Sequence, residues 1–326
     1  MPWAELPWVG AERPFAAGTQ HALVASLGVT IYLPKLIAPR RDIAGRSFDF
    51  DREIAVMAVI NRTPDSFYDK GATFALDRAV AAVDRAVAEG ADWIDIGGVK
   101  FSPDGPAVSA AEEADRVLPV VEATIRRHPG TVISVDTFRV EVARASIEAG
   151  AHVVNDTTGL HDPAIAELVA AHPHTQLVIT HSLAQPRTHY PRPQYLDIAR
   201  EIAAFLHSRS ETALSVGVRP EQIIIDPGHD LNKNTRHTLE LTRRLDQIAA
   251  VGYPMLAAVS NKDFVGETLG RPQGERLEGS LAAEVVCILL GARIVRMHNV
   301  RAAVDAARLT EAVLGWREPA YLVHNM

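Results

Sequence analysis

From residue 54 onward the chain alternates between two kinds of segment. Short apolar runs rich in Val and Ile recur eight times: IAVMAVI (54–60), WIDI (93–96), VISV (132–135), HVVN (152–155), QLVIT (176–180), QIIID (222–226), PMLAAV (254–259) and RIVRM (293–297). Runs this short and continuously apolar suit parallel strands covered on both faces. Amphipathic stretches lie between them. In LDRAVAAVDRAVAEG, Val80, Val83 and Val87 fall at helical spacing, and Gly90 can close the helix. The same reading applies to EEADRVLPVVEATIRR, RVEVARASIEAGA, PAIAELVAAH, YLDIAREIAAFLHSRSETALSVG, HTLELTRRLDQIAAVG and the segments after 274 and 300. Strand then helix, eight times over, predicts the α/β class and a closed (β/α)8 TIM barrel. The first 50 residues carry prolines and no clear period. They are read as an N-terminal extension or barrel cap (1–50) ahead of the barrel proper (51–326).

Composition agrees with that architecture. A chain of 326 residues exceeds the ~250 that a barrel typically needs, and 47% hydrophobic with 22% charged residues fits one large core. A net charge of −7 argues against non-specific nucleic-acid partners. The single cysteine, Cys287 in VVCILLGA, rules out an intrachain disulfide and favours a reducing compartment. The apolar run from Leu23 to Leu33 is shorter than the ~20 residues a membrane span requires. The N-terminus also lacks a basic leader region, so a cytoplasmic location is expected.

A barrel places its chemistry at the carboxyl ends of its strands. Polar residues stand where each apolar run stops: Asn61, Gly97-Gly98, Asp136-Thr137, Asn155-Asp156, Thr180-His181, Asp226-Pro227-Gly228, Ser260-Asn261-Lys262 and Arg296-Met297-His298. Any one of these fits a helix cap. Together they fit a ligand site better. Asp136, Asn155 and Asp226 are acceptors suited to a flat heteroaromatic ring bearing N–H and amino groups. Lys262 can meet a ring carbonyl or balance the acids. Arg296 and His298, two apart on one strand, share a face and can grip an anion. Asn61 offers a hard oxygen of the kind magnesium takes alongside substrate phosphates. His172 and His174 flank Pro173 in a connection and read as solvated loop histidines rather than a zinc site.

At this point the motifs themselves become informative. NRTPDSFYDKG (61–71) resembles the first signature of the dihydropteroate synthases, which reads NVTPDSFSDGG. The likeness continues in family order through ADWIDIGG, VSAAEEADRVLPVV, ISVDT, VVNDTTG, IDPG, SNKDFVG and RMHNV, over roughly residues 54 to 315. The resemblance implies a homodimeric TIM barrel that condenses a dihydropterin pyrophosphate with p-aminobenzoate, pyrophosphate leaving first. It makes Asp136, Asn155, Asp226 and Lys262 pterin-pocket residues. Asn61, Arg296 and His298 become the pyrophosphate and magnesium site. Asp69 matches a loop acid that stabilises the pterin cation and, with Lys262, is the expected catalytic group.

The departures from the pattern are concentrated. GGVKFSPDG (97–105) stands where the family reads GGESTRPG, so Lys100, Phe101 and Ser102 replace Ser, Thr and Arg. The first loop gains Tyr68 and Lys70 in place of small residues. DPGHDLNK (226–233) replaces DPGIGFGK, putting Leu231 where an aromatic is usual and keeping Lys233. SNKDF (260–264) replaces SRKSF. By resemblance, Asp263 then stands beside the aminobenzoate carboxylate, and Asn261 has lost a cation. Two carboxylates ~4 Å apart repel by about 4 kcal/mol at an effective dielectric of 20. Alternatively, Asp263 caps the helix that follows. The resulting expectation is a diverged paralogue that binds pterin pyrophosphate and has weak or absent synthase activity. A fully active synthase and a non-catalytic pterin-binding or regulatory homologue are the alternatives.

Overall fold

The computed structural model describes residues 32–62, 71–99, 107–184, 188–190 and 192–325, leaving aside the side chains of 71–75. All eight apolar runs form strands of one closed parallel barrel. After a hairpin of β1 (Arg40–Ile43) and β2 (Arg46–Asp49), the barrel strands are β3 (Ala55–Asn61), β4 (Trp93–Gly97), β5 (Val132–Asp136) and β6 (Val153–Asp156). They continue with β7 (Gln176–Thr180), β8 (Ile223–Asp226), β9 (Met255–Ala257) and β10 (Ala292–Met297), which closes the ring against β3. The outer layer comprises α1 (Gly71–Ala88), α2 (Ala110–Arg127), α3 (Val140–Glu148), α4 (Ala164–Ala170) and α5 (Ile198–Ser215). It is completed by α6 (Thr235–Arg243), α7 (Leu245–Ala249), α8 (Asp263–Leu269), α9 (Leu277–Leu289) and α10 (Val300–Val313). None of the helices among the described residues is long and apolar enough to cross a membrane.

Period-two alternation explains why the strands look continuously apolar. Ile94, Ile96, Ile133 and Val135 face the helices, while Trp93, Val132, Val153 and Ile224 fill the barrel. Two chain-level expectations change. The stretch HTLELTRRLDQIAAVG is two helices, not one. Arg244 leaves the helical region (φ −114°, ψ 26°), and its N–H is shared among carbonyls of the preceding turn. Residues 40–49, which show no clear period in the sequence, form a hairpin. Each arm is four residues long, and the turn is set by Ala44 (φ 55°) and Gly45 (φ 74°), both in the left-handed region that primed hairpin turns require.

That hairpin stoppers the amino end of the barrel. Phe48 stacks on Phe50 at 5.8 Å, and both meet Trp93 edge-on at 5.9 and 6.4 Å. The buried Arg293 donates to the Phe50 carbonyl (2.8 Å). Asp92 accepts from Arg46 (3.0 Å), Arg308 (2.7 Å) and the Val56 N–H (3.0 Å), tying hairpin, barrel and α10 together. Phe48→Ala is expected to cost about 3–5 kcal/mol in urea unfolding. It should leave ligand affinity at the opposite end unchanged.

Candidate functional site at the barrel mouth

The inner positions change character halfway up the barrel. Above the apolar floor, Asp95 is fully buried and accepts from Ser134 Oγ (2.6 Å), Asn155 Nδ2 (3.3 Å) and Arg296 Nε (2.6 Å). Arg296 also reaches Asp136 (3.4 Å). Groups from β4, β5, β6 and β10 are thereby locked at one level. One layer up, the register places Asn61, Gly97, Asp136 and Asn155 side by side. Asp226 follows on β8, opposite Thr180. The sequence-predicted set Asp136, Asn155, Asp226, Lys262 and Arg296 therefore converges on one space.

Charge in that space is finely set. Burial and the neighbouring Asp95 push the Asp136 carboxyl up to about 7, against the pull of Arg296. Burial likewise raises Asp226, opposed by a 2.7 Å bond from the Gly228 N–H and by Lys262. Burial lowers Lys262, whose carboxylate neighbours are Asp230, Asp226 and Asp136 and whose cationic neighbour is Arg296. Two buried polar atoms on the strands around this space have no partner, Asn155 Oδ1 and Thr180 Oγ1. Buried orphans of this kind mark places where a ligand or water completes the bonding.

At the rim, His298 lies beside Ser260, its Nδ1 3.1 Å from Oγ, and Asn61 is exposed with its Oδ1 3.4 Å from where a Gly97 Cβ would sit. A Cβ at 97 would just touch that oxygen. Among the described residues there is no cluster of three His, Cys, Asp or Glu side chains able to hold a metal. His172 is less free than expected: its Nδ1 bonds the Leu168 carbonyl (2.7 Å).

The other side of the mouth is built differently. Asn261 adopts a left-handed conformation (φ 58°), and its side-chain Oδ1 accepts from the Gly274 N–H (3.4 Å). Asp263 is the first residue of α8, and its side chain makes no capping bond. It is 73% exposed and paired with Arg276 at 2.9 Å. The expected repulsion of about 4 kcal/mol does not apply to so exposed and neutralised a carboxylate. Asp230 caps α8 instead, accepting from the Phe264 N–H (3.2 Å) and the Thr238 hydroxyl (2.8 Å). Asn232 Oδ1 takes three donors from the β7–α5 loop: Ser182 Oγ and the N–H groups of Leu183 and Ala184. Buried Lys233 donates to His181 Nδ1, the Gly228 carbonyl and the Leu231 carbonyl, each at 2.9 Å. The expectations for Asp69, Lys100, Phe101 and Ser102, and for Tyr68 and Lys70, lie outside the described residues.

The model for pterin-binding enzymes matches residues 57–298. The chain belongs to the pterin-binding enzyme family. Within that family it is 43% identical over 293 residues to a protein of Mycobacterium leprae named inactive dihydropteroate synthase 2, an alignment covering 87% of this chain and 98% of that one. It is 37% identical to the dihydropteroate synthase of Haemophilus influenzae, over 79% of this chain and 93% of that one. A solved dihydropteroate synthase of Xanthomonas albilineans with 4-aminobenzoic acid superposes with a TM-score of 0.78 at 37% identity, covering 84% and 98% of the two chains. The pterin-binding barrel and the dihydropteroate synthase-like character read from the motifs both hold.

Asp95, Ser134 and Thr180 were not singled out as site residues from the sequence, although Asp95 holds the others in place. The available signal was an acid at the centre of an apolar strand, WIDI, two residues before the mouth. The raised Asp136 carboxyl gives a direct test. Between its ordinary value of 3.8 and about 7 the folded protein holds an extra proton, so stability falls as pH rises through that window. Asp136→Asn is therefore expected to raise the melting temperature at pH 8, by roughly 2 °C or more. The gain should shrink toward pH 4. An equal effect at both pH values would show that Asp136 is an ordinary carboxylate.

Proposed function

We propose that this protein binds 6-hydroxymethyl-7,8-dihydropterin pyrophosphate at the barrel mouth and has weak or no ability to join it to p-aminobenzoate. The pterin half is supported by the Asp95-centred layer and by the acceptors and cation above it, Asn155, Asp226 and Lys262. Their donors and acceptors match a ring with both amino and carbonyl edges. Arg296, His298 and Asn61 are placed to receive the pyrophosphate. Magnesium, when bound with that group, would neutralise charge on the leaving oxygens. Asp136, once ionised, favours a cation forming nearby, and its pairing with Arg296 controls how much charge it presents.

The observation that carries the second half is the state of the cations on the partner side. Position 261 holds an amide engaged with Gly274, Arg276 is taken up by Asp263, and Lys262 stands among carboxylates. Lys262 is the remaining cation, and Asp230, Asp226 and Asp136 offset its charge, so a carboxylate-bearing amine would be weakly held and poorly positioned for attack. The naming of the Mycobacterium leprae relative as inactive supports the same reading. The test is pyrophosphate release from the dihydropterin pyrophosphate with magnesium, with and without p-aminobenzoate, beside a bacterial synthase. Release that does not depend on p-aminobenzoate, at least a hundredfold slower than the synthase, is expected. Dihydropteroate formed at a comparable rate would refute the proposal.

A two-fold assembly is also part of this reading. A groove of about 420 Å³ between α6, α8 and α9, lined by Leu239, Phe264, Val265, Leu269 and Val286, leaves Leu269 and Val286 exposed. With the family likeness it supports a second copy as the occupant. Leu269→Asp should then shift a dimer to monomer in sedimentation. An unchanged sedimentation coefficient would place the interface elsewhere.

A further inference from the structure

Thr180 is the last residue of β7, and its side chain points into the barrel. Val178, two residues earlier, belongs to the barrel filling, while Leu177 and Ile179 belong to the layer under the helices. Its Oγ1 is fully buried and has no hydrogen-bond partner. The methyl branch is accounted for. Thr180 Cγ2 lies 3.3 Å from where a Cβ on Gly228 would stand, so it faces the turn after β8. The hydroxyl is left on the other side of Cβ. Thr180 pairs directly with Asp226 on β8 and lies one pleat above Val178, which pairs with Asn155 on β6.

The second orphan, Asn155 Oδ1, belongs to a side chain that is 2% exposed and whose Nδ2 is already committed to Asp95. Two unpartnered buried polar atoms therefore stand on adjacent strands, with Thr180 between Asn155 and Asp226 in strand order. A buried hydroxyl without a partner destabilises the empty protein. Valine has the same shape and would remove that penalty. The retained hydroxyl is therefore a group whose bonding a ligand entering the barrel could complete.

Resting on the reading of this mouth as a pterin site, we propose that Thr180 is a positioning residue for the bound ring. Its hydroxyl hydrogen-bonds a polar ring edge one pleat above the N–H accepted by Asn155 Oδ1. The ligand class is a bicyclic heteroaromatic presenting adjacent donor and acceptor atoms, as in a lactam or amidine edge. A hydroxyl both donates and accepts, so Thr180 fits either member of that edge. A ring with a hydrocarbon edge there would leave the hydroxyl buried and unmet. Thr180 thus discriminates by ring polarity as well as by shape.

The test pairs two readouts that a structural role would move together. Dihydropterin pyrophosphate with magnesium is titrated calorimetrically into the wild-type protein, Thr180→Val and Thr180→Ser. Unliganded melting temperatures are measured for all three. Thr180→Val is expected to bind about 2–13-fold more weakly, the loss of one neutral hydrogen bond. Its unliganded melting temperature should stay equal or rise. Thr180→Ser should bind within about twofold of wild type. Unchanged affinity in Thr180→Val, or a joint fall of affinity and melting temperature, would overturn the assignment. Failure of the wild type itself to bind would instead overturn the pterin reading on which the assignment rests.

Discussion

A fully buried carboxylate at mid-barrel organises this molecule's mouth. Taking Asp95 out of water is compensated only because Ser134, Asn155 and Arg296 all donate to it. Each of those donors comes from a different strand, so satisfying the one charge fixes the relative height of β4, β5, β6 and β10. The consequence reaches the rim. With Nδ2 of Asn155 committed to Asp95, its Oδ1 is left buried without a partner. With Nε of Arg296 committed there, only the far edge of the guanidinium reaches Asp136. The site's donors and acceptors are thus presented by a rigid layer beneath them, as preorganised binding requires.

The partner side of the mouth has been rebuilt by the same kind of bond, to a different end. The turn after β8 holds Asp230 (φ 63°) and Asn232 (φ 51°) where the resembling motif has glycines. Both keep the left-handed backbone that glycine adopts freely, and Asp and Asn tolerate it best among other residues. Their side chains then tie the turn down, Asp230 to α6 and α8, Asn232 to the β7–α5 loop. A turn that could flex becomes one held at both ends. It also places a carboxylate, Asp230, next to Lys262. The same half of the mouth that lost a cation at 261 has gained an anion at 230. On the proposed reading, that arrangement disfavours a carboxylate-bearing second substrate even though Asp263 itself turns outward to Arg276.

The barrel was legible because its strands are buried on both faces and its helices on one, two periodicities that differ. The residues at the strand ends were legible for the same reason, since a polar residue closing an apolar run has few other uses. Contacts between distant segments were not. WIDI shows an acid but not that Ser134, Asn155 and Arg296 would converge on it. SNKDF shows a carboxylate but not Arg276, thirteen residues on, that neutralises it. The hairpin over 40–49 escaped because four-residue arms are too short for alternation to stand out. Thr180 stood among the strand-end residues with no role of its own, and its missing partner is what sets it apart.

The central claim is that one half of the mouth still binds while the other does not. Sequential calorimetry addresses it most directly, with dihydropterin pyrophosphate and magnesium titrated to saturation and p-aminobenzoate then titrated into the saturated protein. The expected result is saturable pterin binding followed by no measurable heat from p-aminobenzoate. Absent pterin binding, or tight p-aminobenzoate binding to the saturated protein, would contradict it.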